Sequence, residues 1–121
     1  MKKNKTLFII LGVAGVLVIL ALLGRFTNKE AKPEMILFYG DTCPHCKNVD
    51  DFISANSVRD KLKFQELEVY NNQANARLLS VTAKKCNIDT SAGIGVPFFF
   101  DGASCLQGDQ PIIDYFQSKI K

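Results

Sequence analysis

The sequence of 121 residues contains no tryptophan, one histidine and two methionines, one of them the first residue. It therefore has no histidine-rich or methionine-rich segment of the kind suited to passing soft metal ions, and a metal-handling role loses its best support. Only one close cysteine pair exists. Cys43 and Cys46 are three apart, whereas Cys86 and Cys105 each stand without a close second ligand, so the paired knuckles usual in structural zinc sites are missing. No internal repeat and no low-complexity segment is present. Nor is there any basic excess over the body of the chain. Twelve Lys/Arg and twelve Asp/Glu lie beyond Leu23, and the net charge of +3 comes from Lys2, Lys3 and Lys5. A nucleic-acid partner has no global electrostatic case.

What is present begins with "LFIILGVAGVLVILALL", Leu7 to Leu23, seventeen residues without a charge. As a helix it spans about 26 Å, and Gly24 and Phe26 can extend it toward the roughly 30 Å of a hydrocarbon core. A cleaved signal peptide would have a shorter apolar stretch and a small-x-small site, and Leu22, Leu23 and Gly24 make a poor one. The reading is a retained anchor over 7–26, preceded by a cytoplasmic basic arm, 1–6. The three lysines stay inside by the positive-inside rule, although Arg25, Lys29 and Lys32 on the other flank weaken the bias. This makes a single-pass protein of a cytoplasmic or plasma membrane. Its polar linker, 27–33, and a domain, 34–121, lie outside the cytoplasm.

Within 34–121, "EMILFYG" is a short apolar run closed by Gly40, which fits a buried strand. After Cys46, Val49, Phe52 and Ile53 recur at helical spacing until Asn56-Ser57. "KLKFQELEVY" reads as a strand from its Phe, Val and Tyr content. A helix is expected from about Asn72 to Cys86, with Leu78, Leu79, Val81 and Thr82 on its inner side. "VPFFF" followed by "DG" reads as a strand entering a tight hairpin, with Ala103 to Leu106 as partner. A last helix begins near Pro111 and carries Ile113, Phe116 and Ile120. Phe98 to Phe100 are assigned to the core of a sheet covered on both faces rather than to a binding groove.

The stretch "GDTCPHCKN" stands where the first strand meets the first helix of this domain. A sulfur at a helix start meets unpaired backbone N–H groups and the positive end of the helix dipole, which favour thiolate. Cys43 is thus the exposed, acidic nucleophile. Cys46, one turn on and shielded by the helix, suits the resolving role. Pro44 stiffens the first turn without removing a needed donor. His45, if protonated or donating toward sulfur, stabilises the thiolate and makes the disulfide more oxidising.

This order of elements, with "CPHC" at Cys43 to Cys46 and "GVP" at Gly95 to Pro97, resembles the thioredoxin/glutaredoxin family over Glu34 to Lys121. The resemblance implies an α/β thioredoxin-like fold, a four-stranded mixed sheet flanked by three helices. It implies a cis bond before Pro97, which abuts the cysteine pair and leaves the backbone of Val96 to pair with an extended substrate. It also implies a protein-disulfide oxidoreductase with no dissociable cofactor and no metal. Cysteine-containing client proteins and a membrane or thiol redox partner for regeneration would be its partners. The Pro-His dipeptide is similar to that of disulfide-forming oxidases, so oxidation is favoured over reduction. Two departures stand out. Leu37 occupies the position of the family's buried acid, and Thr42 replaces the tryptophan before the pair.

Cys86 and Cys105 admit three readings from sequence: a structural disulfide closing a loop of about 20 residues, two inert core thiols, or a second redox relay. The rival to an enzyme is a non-catalytic binding, assembly or metal-handling module whose CPHC bridge is permanent.

Overall fold

The structure is a computed structural model that describes residues 2–24 and 34–121. The chain divides into two compact units, Met1–Ala31 and Lys32–Lys121.

The first unit holds one helix, α1 (Lys2–Leu23). It takes in the basic arm and ends at Leu23, with Gly24 in a turn; the expected extension to Phe26 falls outside the described residues. Within Asn4–Leu23 an 18-residue window has a mean hydropathy of 3.0. Apolar side chains surround it on all sides, so no stripe marks a protein-facing surface; such a helix is solvated best by hydrocarbon. By length and composition α1 can cross a membrane.

The second unit is a mixed α/β layer structure. Its elements are β1 (Ile36–Tyr39), α2 (Pro44–Ala55), α3 (Val58–Lys61), β2 (Gln65–Glu68), α4 (Gln73–Lys85), β3 (Phe98–Phe100), β4 (Cys105–Gln107) and α5 (Asp109–Lys119). The sheet order is β2-β1-β3-β4. β1 runs parallel to β2, with Leu37 beside Glu66, and antiparallel to β3, with Leu37 beside Phe99. β3 and β4 form the hairpin, whose turn is closed by Asp101 N–H donating to the Ser104 carbonyl.

Side-chain alternation divides the core between the two faces of the sheet. Leu37 and Phe99 face α2, α3 and α5 through Val49, Ile53, Val58, Ile112 and Phe116. Phe38 and Phe98 face α4 through Leu79 and Ala83. The consecutive phenylalanines therefore serve both layers. Phe99 meets Phe116 edge-on at 5.0 Å and Tyr115 at a tilt at 5.1 Å.

Four expectations from sequence need correction. Four helices, not three, accompany the sheet, because α3 follows directly on Ser57, which is left-handed at φ 51°. A one-turn helix has no periodicity to read, and only the burial of Val58 reveals its purpose. Leu78 and Val81 are 40% and 52% exposed; the inner side of α4 is Leu79, Thr82 and Ala83. The last helix starts at Asp109, two residues before Pro111, and its most buried members are Ile112 and Phe116. The second hairpin strand is Cys105–Gln107, shifted toward the C terminus because Asp101 Oδ1 caps the N–H groups of Ala103 and Ser104 in the turn.

Candidate functional site

The central strand β1 carries the chain to Gly40 at its C-terminal end, where a two-residue turn, Asp41-Thr42, leads into α2. Cys43 is the N-cap of that helix, with extended backbone, and its Sγ accepts a hydrogen bond from Cys46 N–H at 3.1 Å. Pro44 follows in the first turn, where a missing donor costs nothing. Cys46 lies one turn on and is joined to Cys43 in a disulfide, with their Cα atoms 5.2 Å apart.

Cys43 is not the exposed residue expected from its place at a helix start. It is 8% exposed, close to the 5% of Cys46, because the segment before β3 covers it. The Val96–Pro97 bond is cis, and the Val96 carbonyl oxygen lies 3.5 Å from Cys43 Sγ. These neighbours act in opposite senses on a reduced Cys43. The Cys46 N–H and helix dipole stabilise the thiolate, while the Val96 carbonyl would accept the proton of a thiol. Pro97 is fully buried, and its own carbonyl accepts from Gly108 N–H at 3.0 Å.

His45 does not face the sulfur through Nδ1. That nitrogen is 3.0 Å from Asp109 Oδ2, and Asn48 Nδ2 donates to the same oxygen at 2.7 Å. Asp109 is the first residue of α5, placed there by Gly108 at φ 87°, a conformation that favours glycine. The Asn48 amide, and after it His45, hold the Asp109 carboxyl down to about 2. Any hydrogen bond from this ring to sulfur therefore falls to Nε2. Asp109 is the site residue that sequence reading missed. An acid at the start of a helix looks like ordinary dipole pairing, and only the packing of α5 on α2 brings it to His45.

On the other side of the cysteines is an open cavity of about 510 Å³, lined by Leu37, Gly40, Cys43, Cys46, Asp50, Arg59 and Glu66 among others. Arg59, from α3, donates through Nε and Nη2 to both oxygens of Glu66 at 2.6 and 2.9 Å, and through Nη2 to Asp50 at 2.6 Å. These bonds, that to Glu66 first, raise its pKa above the ordinary arginine value. Leu37 supplies an apolar wall to this cavity. The adjacent carboxylate is Glu66, its neighbour across the sheet, and it is held by Arg59.

Cys86, the C-cap of α4, is bonded to Cys105, the first residue of β4, with Cα atoms 6.1 Å apart. The bridge ties the helix end to the edge strand. Among the described residues no three His, Cys, Asp or Glu side chains converge as metal ligands would. No protein-family model matches the chain, and no curated protein is significantly similar to it.

Proposed function

We propose that this chain is a membrane-tethered thiol-disulfide oxidoreductase of thioredoxin-like architecture. The observation that carries the reading is the chemistry at Cys43: a disulfide sulfur at a helix N-cap, accepting the N–H of its own partner cysteine. A bridge so placed releases a stabilised thiolate when opened, which makes it reactive toward client thiols.

In the oxidising direction a client thiolate attacks Cys43 Sγ. The Cys43–Cys46 bond breaks and Cys46 leaves as thiolate. A second client thiolate then attacks the client sulfur of the mixed disulfide, and Cys43 leaves as thiolate. Two electrons pass from client to the cysteine pair, and the client keeps the new disulfide. Regeneration takes the same two electrons away to a membrane oxidant, which the family resemblance implies is quinone-linked. Reduction of clients runs the sequence backward from the Cys43 thiolate. The Pro-His dipeptide favours the oxidising direction, with the domain outside the cytoplasm. Val96, before the cis bond, would offer its backbone to the client segment.

The rival reading is a binding module with a permanent bridge, and the covering of Cys43 favours it. Equilibration of the pair against glutathione separates the two. A reduction potential well above about −300 mV supports exchange, and one below that value, typical of structural bridges, overturns it.

A further inference from the structure

The helix α4 has an outer face that the sheet does not use. At 3.6 residues per turn, Ala74, Arg77, Leu78, Val81, Lys84 and Lys85 fall within an arc of about 120°, and all six are exposed. Val81, 52% exposed, lies at the arc's centre, and Leu78, 40% exposed, forms one edge of the arc while Lys84 forms the other. The charged members are all basic, α4 has no acidic residue, and none of the three takes part in an ion pair among the described residues. The opposite layer, α2, α3 and α5, is close to balanced, with five acids (Asp50, Asp51, Asp60, Asp109 and Asp114) against four bases (Lys47, Arg59, Lys61 and Lys119).

We propose that this face of α4 docks on an anionic lipid surface, an inference that rests on α1 being a membrane anchor. Charge decides the occupant. A negatively charged surface attracts the Arg77, Lys84 and Lys85 side and has no such hold on the near-balanced opposite layer, so it orients the domain as well as binding it. Leu78 and Val81 then enter the headgroup boundary while the basic side chains stay among the phosphates, the division of labour of interfacial helices. Only nine residues separate Gly24 from Glu34, so the encounter with the bilayer is intramolecular and needs little intrinsic affinity. Docking restricts the rotation of the tethered domain and, with it, the directions in which Cys43 is presented.

The lack of tryptophan supplies the probe. The full chain carrying Val81→Trp is reconstituted into vesicles of phosphatidylcholine with or without phosphatidylserine, each with brominated acyl chains. The expected result is blue-shifted, quenched emission only when phosphatidylserine is present, abolished by high salt. Gln117→Trp, exposed on α5, stays unquenched. Each replacement Arg77→Gln, Lys84→Gln or Lys85→Gln should lower the docked-to-free ratio about fivefold. Leu78→Trp repeats the reading should the first variant misfold. Equal quenching at positions 81 and 117, or none at either in chains retained after carbonate washing, overturns the docking alone. Loss of the chain on carbonate washing overturns the anchor and the docking with it. A blue shift in lipid-free detergent that grows with protein concentration assigns the face to protein contact and also overturns the proposal.

Discussion

His45 and Asp109, sixty-four residues apart, meet across the packing of α2 on α5, with Nδ1 of the imidazole 3.0 Å from Oδ2 of the carboxylate. The contact joins one of the two residues between the cysteines to α5. Asn48 reinforces it at 2.7 Å.

The latch has a pH signature. The Asp109 carboxyl is lowered from its ordinary 3.8 to about 2, first by Asn48 and then by His45. A depressed carboxylate contributes stability that is fully present above its unfolded-state value and is lost as pH falls through the folded one. Thermal melts of the native chain and Asp109→Asn should therefore differ most above about pH 4. The gap should close as pH approaches about 2. A gap that stayed constant over this range would remove the carboxylate from the account.

Replacing His45 tests its bearing on redox poise. His45→Ala should lower the reduction potential of the Cys43–Cys46 pair, on the order of 30 mV or a tenfold change in the exchange equilibrium. The measurement is equilibration in glutathione buffers with quantified alkylation of the free thiols. An unchanged or higher potential would remove His45 from the redox account.

The two cysteines of the site should fail differently. Cys43→Ser should reduce exchange with a model dithiol peptide to the uncatalysed rate. Cys46→Ser should instead accumulate mixed disulfides at Cys43, identifiable by mass spectrometry of the peptides that cross-link to it in membranes. The absence of adducts in the Cys46→Ser protein would count heavily against client exchange.

The second bridge should matter for stability and not for exchange. Removing it with Cys86→Ala and Cys105→Ala should cost about 3 kcal/mol in denaturant unfolding, the chain-entropy value for a loop of about 20 residues. Exchange at Cys43 should proceed as before. A loss of exchange in a protein that still folds would reveal a relay between the pairs.

The sheet centre is the costliest place to cut. Phe99→Ala should destabilise by about 3–5 kcal/mol, since Phe99 is fully buried among Phe64, Tyr115 and Phe116. A loss below about 0.5 kcal/mol, the range of ordinary surface changes, would mean the cluster repacks.

Local signals were sufficient for much of this molecule. An uninterrupted apolar run such as Leu7–Leu23 has few environments able to solvate it. The alternation of strand-length and helix-length apolar patterns orders the elements, and two cysteines three apart at a strand–helix join define a chemical pair, because each of these is a property of neighbours in the chain. Tertiary structure decided whatever depends on which surface another element covers. Leu78 and Val81 have the hydrophobicity of core residues, yet the sheet covers only the arc of α4 that carries Leu79, Thr82 and Ala83. Cys43 has the position of an exposed nucleophile, yet the Val96–Pro97 segment, more than fifty residues away, shields it. Asp109 carries no local mark of its role, since its partners belong to another helix. Periodicity reports how one segment divides its own surface; which divided surfaces then meet is set by long-range packing.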